Sequence, residues 1–340
     1  MRFHALVIGL TVLFVFVGPL SPARAAADDA DTCVHGAGDE KIAACTRAMN
    51  SGRWHGPGLA WAYIHRGNAY KAKRDLDHAI ADYNEALRLD PTAASPYNNR
   101  GNAYQVRGDL DRAIADYNEA IRLDPKNALA YFNRANAYLA QSNFDRAIAD
   151  FNEEIRLNPK DSRAYFELGL TSLYAGALSN SLTALNQAST LDPKDAYAAL
   201  WLDIVGRRNK VSSHLSEAAT KIDMTIWPSP VIRMFLGQMT SAAVLAAADD
   251  PDATKKKGQV CEANFYSGEL ALLQDAKDTA IRLLRLAAQD CPKSFTEWSA
   301  TLPNSRRSAR HIKARGRHNH RRASFRTARR FLKSSTPVTM

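Results

Sequence analysis

A 34-residue repeat is the feature that most constrains the fold of this chain. Four blocks between Ala60 and Pro193 follow one another without gaps, and each ends in Leu-Asp-Pro or Leu-Asn-Pro. The same residue types recur at fixed positions inside the blocks. They are a tyrosine (Tyr63, Tyr97, Tyr131 and Tyr165), a small residue at the eighth position (Gly67, Gly101, Ala135 and Gly169) and a second small residue (Ala79, Ala113, Ala147 and Ser181).

Each block predicts a pair of α-helices. Apolar residues recur at three- and four-residue steps in Trp61–Lys73 and again in Leu76–Arg88, with a short polar turn between the two segments. The proline that closes each block cannot continue a helix, so it separates one pair from the next. One helix pair cannot bury its apolar faces alone, and we therefore expect the pairs to stack on one another.

This pattern resembles the tetratricopeptide-repeat (TPR) family. The resemblance implies an all-α fold, a TPR α-solenoid of stacked antiparallel helix hairpins, and a role in binding other proteins. The sequence contains no Gly-rich phosphate loop, no G-x-S-x-G motif and no H-E-x-x-H motif. We therefore expect a non-enzymatic protein without catalytic residues, cofactor or metal.

The positive charge of the chain is concentrated in its C-terminal tail. The formal net charge is +10, yet Thr301–Met340 holds twelve Lys and Arg and no acidic residue, so residues 1–300 carry −2. The repeats themselves therefore give no reason to expect a specific nucleic-acid partner. Two hypotheses remain for the tail: it binds a polyanion by releasing counterions, or it is a frameshift product that replaces the capping helix expected there.

The N-terminus predicts a secretory signal peptide. A positive Arg2, the apolar run Ala5–Val17 and small residues around a cleavage site after Ala25 form the pattern. About 13 apolar residues are too few to span a bilayer comfortably. We expect a periplasmic or secreted bacterial protein with no stable membrane anchor. The predicted parts are a signal peptide (1–25), an N-terminal capping half-repeat (26–59), four repeats (60–193), a divergent helical region (194–260), a terminal repeat (261–300) and a basic tail (301–340).

An even number of cysteines in an exported chain favours disulfides. Cys261 and Cys291 fall at positions 1 and 31 of the terminal repeat, which lie at the same end of an antiparallel hairpin, so register predicts a bond between them. Cys33 and Cys45 are then left to pair. Asp39–Asn50 resembles a lone second helix, onto which this bond would tie a short strap. Free buried thiols are the alternative.

After Pro193 the repeat pattern weakens. We predict helices over Ala196–Arg207 and His214–Asp223, one or two helices within Val231–Ala248, an irregular segment at Trp227–Pro230 and a polar loop at Asp249–Gly258.

The second half also resembles the C-terminal part of NlpI-like TPR proteins. The residues that carry this resemblance are Trp227-Pro228, Leu236-Gly237, Asn264–Gly268 and Phe295–Trp298. The resemblance implies an adaptor that brings a protease and cell-wall hydrolases together. This chain lacks the lipidated cysteine of that group, so membrane tethering is not implied.

Amide side chains on the first helices are the candidate binding residues. In TPR arrays these positions face a concave groove, and an amide can both donate to and accept from the backbone of an extended peptide. Structural hydrogen bonding between repeats is the alternative and explains the spacing equally well. The candidates are Asn68, Asn102 and Asn136 at position 9, Asn99 and Asn133 at position 6, the adjacent Asn98, and Phe132, Phe166 and Tyr174 as apolar sockets.

A TPR carboxylate clamp is matched only in part. Asn68 and Asn99 fit its amide positions, but Ile64, Leu129 and Asn133 stand where cations belong. A shift by one repeat places Glu167 at a cationic position, so binding of a chaperone tail is disfavoured. The partner is a protein of unknown identity, and whether the chain forms a homodimer stays open.

Arginines also recur at 34-residue steps. We interpret Arg66, Arg100 and Arg134 as structural ties to acidic residues of neighbouring repeats, for which the candidates are Asp82, Asp116 and Asp150.

Overall fold

The computed structural model describes residues 22–291, and every regular element in that range is helical. The predicted all-α array of helix hairpins is confirmed. A 3₁₀ turn over Gly56–Leu59 precedes the first full repeat. The helices are α1 (Pro22–His35), α2 (Gly38–Asn50), α3 (Ala60–Ala72), α4 (Leu76–Leu89), α5 (Ala94–Arg107), α6 (Leu110–Leu123), α7 (Ala128–Ala140), α8 (Phe144–Leu157), α9 (Ser162–Ala175), α10 (Leu178–Leu191), α11 (Ala196–Arg208), α12 (Leu215–Ala218), α13 (Ser229–Phe235), α14 (Ser241–Ala247), α15 (Ala253–Leu273) and α16 (Lys277–Asp290).

The chain forms two compact units, the first ending at Ala103 and the second beginning at Tyr104. In the first unit α1 packs on α2, α2 on α3 and α3 on α4. In the second unit consecutive packing continues from α6 to α11, and α15 packs on α16 as a terminal hairpin. No helix between residues 22 and 291 combines the length and apolar character that a membrane crossing requires.

The second helix of each early repeat begins at a side-chain cap. Asp75, Asp109 and Asn143 each accept a hydrogen bond from the backbone N–H three residues later, at the starts of α4, α6 and α8. Such a cap satisfies an N–H group that has no partner inside the helix, and is worth about 1 kcal/mol. The polar turns seen in the sequence therefore fix where the second helices start.

Inside a hairpin, the small residue at position 8 lies directly against position 24. A Cβ atom built on Gly67 would lie 2.8 Å from Cε1 of Tyr83, and one built on Gly169 would lie 2.6 Å from Cγ of Leu185. Ala135, which fills this position in the third repeat, shares a buried cluster with Phe151. The two helices of a hairpin can therefore approach closely only where position 8 is small.

The terminal hairpin has the same contact. A Cβ atom on Gly268 would lie 2.7 Å from Cγ of Leu284, and Ala280 and Ala287 are fully buried. The α15–α16 pair thus packs like the earlier hairpins, with a contact between residues 16 positions apart in the sequence.

The first helix differs from the sequence-based expectation. The segment ahead of α2, predicted to be a short strap, forms the helix α1 and packs on α2 as a hairpin. The N-terminal part is therefore a helix pair rather than a half-repeat. The predicted signal peptide falls on residues 1–25, of which 1–21 lie outside the described residues.

The divergent region contains three further corrections. The helix predicted over His214–Asp223 is only the single turn α12. The segment predicted to be irregular already enters α13 at Ser229. Pro230 lies in the first turn of α13, where the N–H that proline lacks would have no partner inside the helix. The peptide bond before Pro228 is cis. The loop predicted over Asp249–Gly258 ends early, because Asp252 caps α15 by accepting from the N–H groups of Thr254 and Lys255.

The largest apolar core lies in the second unit, and α15 runs through it. All nine residues from Cys261 to Glu269 are buried, and Trp201 packs against Phe265 and Tyr266. Glu262 is held inside this core, where its Oε2 accepts from the hydroxyl of Tyr197 at 2.9 Å and from Nε1 of Trp227 at 2.7 Å. These two bonds attach α11 and the segment before α13 to α15.

Two disulfides join the pairs expected from the sequence, one by helical register and the other by elimination. Cys33 is bonded to Cys45 with a Cα–Cα distance of 4.6 Å, and Cys261 to Cys291 with one of 5.1 Å. The first bond joins α1 to α2, and the second joins α15 to the residue that follows α16. Each bond therefore links the two halves of a helix hairpin covalently.

We predict that Gly169→Ala destabilises the protein by about 1–3 kcal/mol, because the added methyl group meets the fully buried Leu185. Gly206→Ala in α11 is the matched control. A Cβ atom there has only one neighbour within 4.0 Å, the carbonyl oxygen of Val211, so this change should be neutral or stabilise the helix by up to about 1 kcal/mol. Urea unfolding followed by circular dichroism measures both variants, and equal losses would contradict the close-contact explanation.

Candidate functional site

Four positions of each first helix form one exposed stripe. Positions 2, 6, 9 and 13 are spaced by three or four residues, so they share a face of the helix. We call this set the first-helix face. All of its members in α3, α5, α7 and α9 keep some exposed surface except Leu170, which is buried. The members are Trp61, His65, Asn68, Ala72, Ser95, Asn99, Asn102, Val106, Leu129, Asn133, Asn136, Ala140, Arg163, Glu167, Leu170 and Tyr174.

The candidate amides divide into two groups. Asn99, Asn102, Asn133 and Asn136 are half-buried members of this face, whereas Asn98 is 4 % exposed. Asn98 stands at position 5, which is turned towards the hairpin interior, so the expectation that it contacts a peptide is wrong.

Two amides have structural hydrogen bonds. Oδ1 of Asn68 accepts from the hydroxyl of the fully buried Tyr83 at 2.7 Å, which ties α3 to α4. Nδ2 of Asn136 donates to the carbonyl oxygen of Phe132 in its own helix at 3.0 Å. The structural alternative therefore applies to Asn68, and Asn136 has one donor engaged within α7.

The aromatic residues predicted as sockets are partly filled by this chain. The ring of Phe132 meets Phe151 edge-on, with centroids 5.7 Å apart, and the guanidinium of Arg163 lies 5.5 Å from the Phe132 ring centroid. Phe166 and Tyr174 pack against the large core of the second unit. Each of these three rings is half-buried, because one side of it packs against the protein itself, so only the other side is available to a partner.

Large exposed apolar side chains within the four repeats occur on the same face. Val106 is 61 % exposed and Leu129 is 53 % exposed, and between residues 60 and 193 these two are the exposed large apolar residues. Both belong to the first-helix face.

Glu167 is the residue of this face that sequence reasoning undervalued. It is half-buried, and burial raises the pKa of its carboxyl to about 7. The nearby Arg163 is already engaged, since its Nη2 lies 3.0 Å from Oδ2 of Asp161. In the sequence Glu167 is notable only as an acid at a cationic position of a carboxylate clamp, and the sequence pattern does not show that its side chain is half-buried.

The recurring arginines tie helices together, but not in the way predicted. Arg134 donates through Nε and Nη2 to the two carboxylate oxygens of Asp150, at 2.8 and 2.7 Å, and through Nη1 to Oδ1 of Asn118 at 2.7 Å. Asp150 belongs to the same repeat as Arg134, and Asn118 belongs to the preceding one. The arginine bonds to an acid of its own repeat because positions 7 and 23 face each other across one hairpin. The bond to the preceding repeat is made to the amide of Asn118 instead.

The same arrangement appears in the first unit. Arg66 pairs with Asp82 of its own repeat and donates to Oγ1 of Thr46 in α2, at 3.0 Å. Nη1 of Arg100 donates to Oδ1 of Asn84 at 2.7 Å. These ties hold the hairpins in a fixed relation within each unit.

We predict that Arg134→Gln destabilises the protein by about 3–5 kcal/mol, because it leaves the buried Asp150 carboxylate without its cation. Arg122→Gln is the control. Arg122 is 64 % exposed and pairs with Glu119 on the helix surface, so its loss should cost less than about 1 kcal/mol. Chemical denaturation of the two variants compares them, and a small effect at residue 134 would contradict the tie.

Glu154 breaks the repeat pattern inside the core. The other repeats have a buried alanine at position 27, namely Ala86, Ala120, Ala188 and, in the terminal repeat, Ala287. Glu154 is 2 % exposed, and its Oε2 atom has no hydrogen-bond partner in the described part of the chain. Burial and the nearby Asp161 raise the pKa of this carboxyl to about 7, against a smaller opposing effect of Arg163.

We predict that Glu154 makes stability depend on pH. A folded-state pKa of about 7, above an unfolded value near 4.5, means that the protonated carboxyl is favoured in the fold. The loss of folding stability caused by ionising this buried carboxyl is absent below about pH 4.5. It grows between pH 4.5 and 7 and reaches up to about 3 kcal/mol above pH 7. Glu154→Ala should therefore raise the melting temperature more at pH 8 than at pH 5.

The exposed neighbour supplies the control for this prediction. Glu153 pairs with Arg156 on the surface, at 2.8 Å between Oε2 and Nε. Glu153→Gln should leave the pH profile of the melting temperature unchanged. If Glu154→Ala has the same pH profile of the melting temperature as the parent, Glu154 is not the group that makes stability depend on pH.

Between residues 22 and 291, no three His, Cys, Asp or Glu side chains converge as a metal site would require. The arrangement provides a patterned surface of amides, apolar side chains and one desolvated carboxylate.

Comparisons with known proteins agree with the repeat pattern. A family model described as TPR repeat matches residues 60–105 and 107–142, and one described as tetratricopeptide repeat matches residues 132–196. No curated protein matches the chain.

Solved structures of similar proteins include the following three. MamA from Desulfovibrio magneticus RS-1 is 22 % identical, with 48 % of this chain and 92 % of that chain covered and a TM-score of 0.44. PilF of Pseudomonas aeruginosa is 17 % identical, with 76 % and 97 % covered and a TM-score of 0.47. YrrB, described as a TPR protein with an unusual peptide-binding site, is 20 % identical, with 64 % and 96 % covered and a TM-score of 0.38.

Proposed function

Because residues 60–196 of this chain are tetratricopeptide repeats, we propose that the protein is a non-enzymatic scaffold that binds a segment of another protein on its first-helix face. The observation that carries this proposal is a contrast between the two exposed sides of the repeats. In the first three repeats the second-helix side has the same residue at five positions, whereas the first-helix face differs at positions 2, 6 and 13 and keeps asparagine only at position 9. The fourth repeat departs from the first three on both sides.

The second helices present the constant side. In the first three repeats α4, α6 and α8 have the same residue at five solvent-facing positions, although burial places no demand on them there. These positions hold Asp77, Asp111 and Asp145; Ala81, Ala115 and Ala149; Asn84, Asn118 and Asn152; Glu85, Glu119 and Glu153; and Arg88, Arg122 and Arg156.

The first-helix face is the varied side. Position 2 is Trp61, Ser95, Leu129 or Arg163, and position 6 is His65, Asn99, Asn133 or Glu167. A surface that repeats itself every 34 residues cannot distinguish the residues of a bound segment, whereas a varied surface can. The exposed Val106 and Leu129 lie on this side as well.

Rigid hairpins favour this kind of binding. The close contacts at position 8 and the arginine ties fix the helix backbones that carry the face before a partner arrives. Less conformational entropy is then lost on association, which is how a pre-organised surface gains affinity.

We further propose that the protein works outside the cytoplasm. Two features support this location: the signal-like pattern of residues 1–25 and the two disulfides, which persist in oxidising compartments. The NlpI-like adaptor role belongs to the same proposal and rests on the sequence resemblance alone.

A second function is suggested by the tail. Its twelve Lys and Arg without an acidic residue favour binding of an anionic lipid, glycan or nucleic acid. Such binding weakens steeply as salt rises, whereas a complex formed on the first-helix face depends less on salt.

The test is a capture of partners from envelope extract with matched baits. We expect residues 26–340 and residues 26–300 to retain the same protein at moderate salt. Leu129→Asp should lose it, and Asn152→Asp, which places the same charge on the constant side, should keep it. Binding that needs residues 301–340 and is removed by salt would contradict the proposal and favour the tail.

A further inference from the structure

Glu167 is a carboxylate that the protein itself leaves without a partner. It stands at position 6 of α9, on the first-helix face, and no hydrogen bond or ion pair joins it to another residue of the range 22–291. Burial raises the pKa of its carboxyl, and no charged group of the range 22–291 opposes that effect. An unpaired carboxylate that is partly removed from water is costly for the free protein.

The nearest candidate cation of the same helix is committed elsewhere. The Arg163 guanidinium pairs with Asp161, to which Nη2 and Nε donate at 3.0 and 3.3 Å, and it also lies over the ring of Phe132. These two partners hold the guanidinium in place. Arg163 therefore does not neutralise Glu167.

Apolar side chains belong to the same helices and the same face as the carboxylate. Leu129 of α7 is 53 % exposed, and Phe132 and Phe166 are half-buried with one side covered by their own core. In the preceding repeat position 6 is an amide, Asn133. A segment lying along α7 and α9 would thus meet an apolar residue, an amide and then a single negative charge.

We propose that this part of the face receives a segment of a separate protein that carries a lysine or arginine, whose cationic group pairs with Glu167, next to an apolar residue that contacts Leu129. This inference rests on the proposed function and adds the chemistry of the ligand. Charge complementarity selects the occupant, since a cation removes the cost of the unpaired carboxylate and a neutral or acidic segment does not.

The pairing has a pH signature. A bound cation favours the ionised carboxylate, and the free protein holds the pKa of Glu167 at about 7 through burial. Binding of a basic segment should therefore strengthen as pH rises from 6 to 8 and level off above that range.

Peptide selection on the mature chain, residues 26–340, tests the inference. A random 12-residue display library is panned on the parent protein, and each selected peptide is made with its Lys or Arg and with norleucine in that place. Fluorescence anisotropy then gives four Kd values, from two peptides on the parent and on Glu167→Gln. Glu153→Gln serves as the control of equal charge change on the constant side.

We expect the basic peptide to bind the parent at least ten times more tightly than its norleucine version, a preference that Glu167→Gln abolishes and Glu153→Gln retains. Glu167→Ala repeats the measurement with a second side chain, and melting curves confirm that the variants are folded. Peptides that bind without a preferred basic residue, or whose preference survives Glu167→Gln, would overturn the inference and leave the proposed function standing.

Two other outcomes are equally decisive. If no peptide binds the face at all, the proposed function fails together with the inference. If residues 26–300 bind the basic peptide at least ten times more tightly than residues 26–340, the chain's own tail competes for Glu167. The occupant is then internal, and the assignment to a separate protein is wrong.

Discussion

The close contact between position 8 and position 24 is the constraint on which the rest of this structure depends. Where position 8 is glycine, as in Gly67, Gly169 and Gly268, the opposing side chain lies where a Cβ atom would be. The two helices of a hairpin can then share one interface, and position 5 turns inwards while positions 2, 6, 9 and 13 turn outwards. The location of the first-helix face is a consequence of this packing.

A second consequence concerns which residues are free to vary. Burial fixes the small residues and rings inside each hairpin, and the arginine ties fix positions 7 and 23. Apart from Asn68, Leu170 and Tyr174, which bond to or pack on the core, the first-helix face is not subject to these demands, so its residues can differ between repeats at little cost in stability. Glu167 and Leu129 are residues of this kind, whereas Glu154 is a departure at a packed position, and its effect is on stability.

The sequence predicts what recurs and misses what occurs once. The hairpins, the small residues at position 8 and the closing prolines recur at 34-residue steps, so several copies support each inference. The helix α1 has no second copy to align with. Three lysines and a glycine near the start of α15 led to the prediction of a loop there, although Asp252 could have been identified as a helix cap. Asn98 and Asn99 are adjacent in sequence, and only the hairpin geometry shows that the first is buried and the second is not.

Site-specific photo-crosslinking in the producing cell tests the central claim most directly. A photoreactive amino acid is placed in turn at residues 99, 129 and 133 on the first-helix face and at residues 84, 118 and 152 on the constant side. We expect the first set to crosslink to a common protein and the second set to give none. Crosslinks from the second set, or from neither set, would contradict the assignment of the first-helix face as the binding surface.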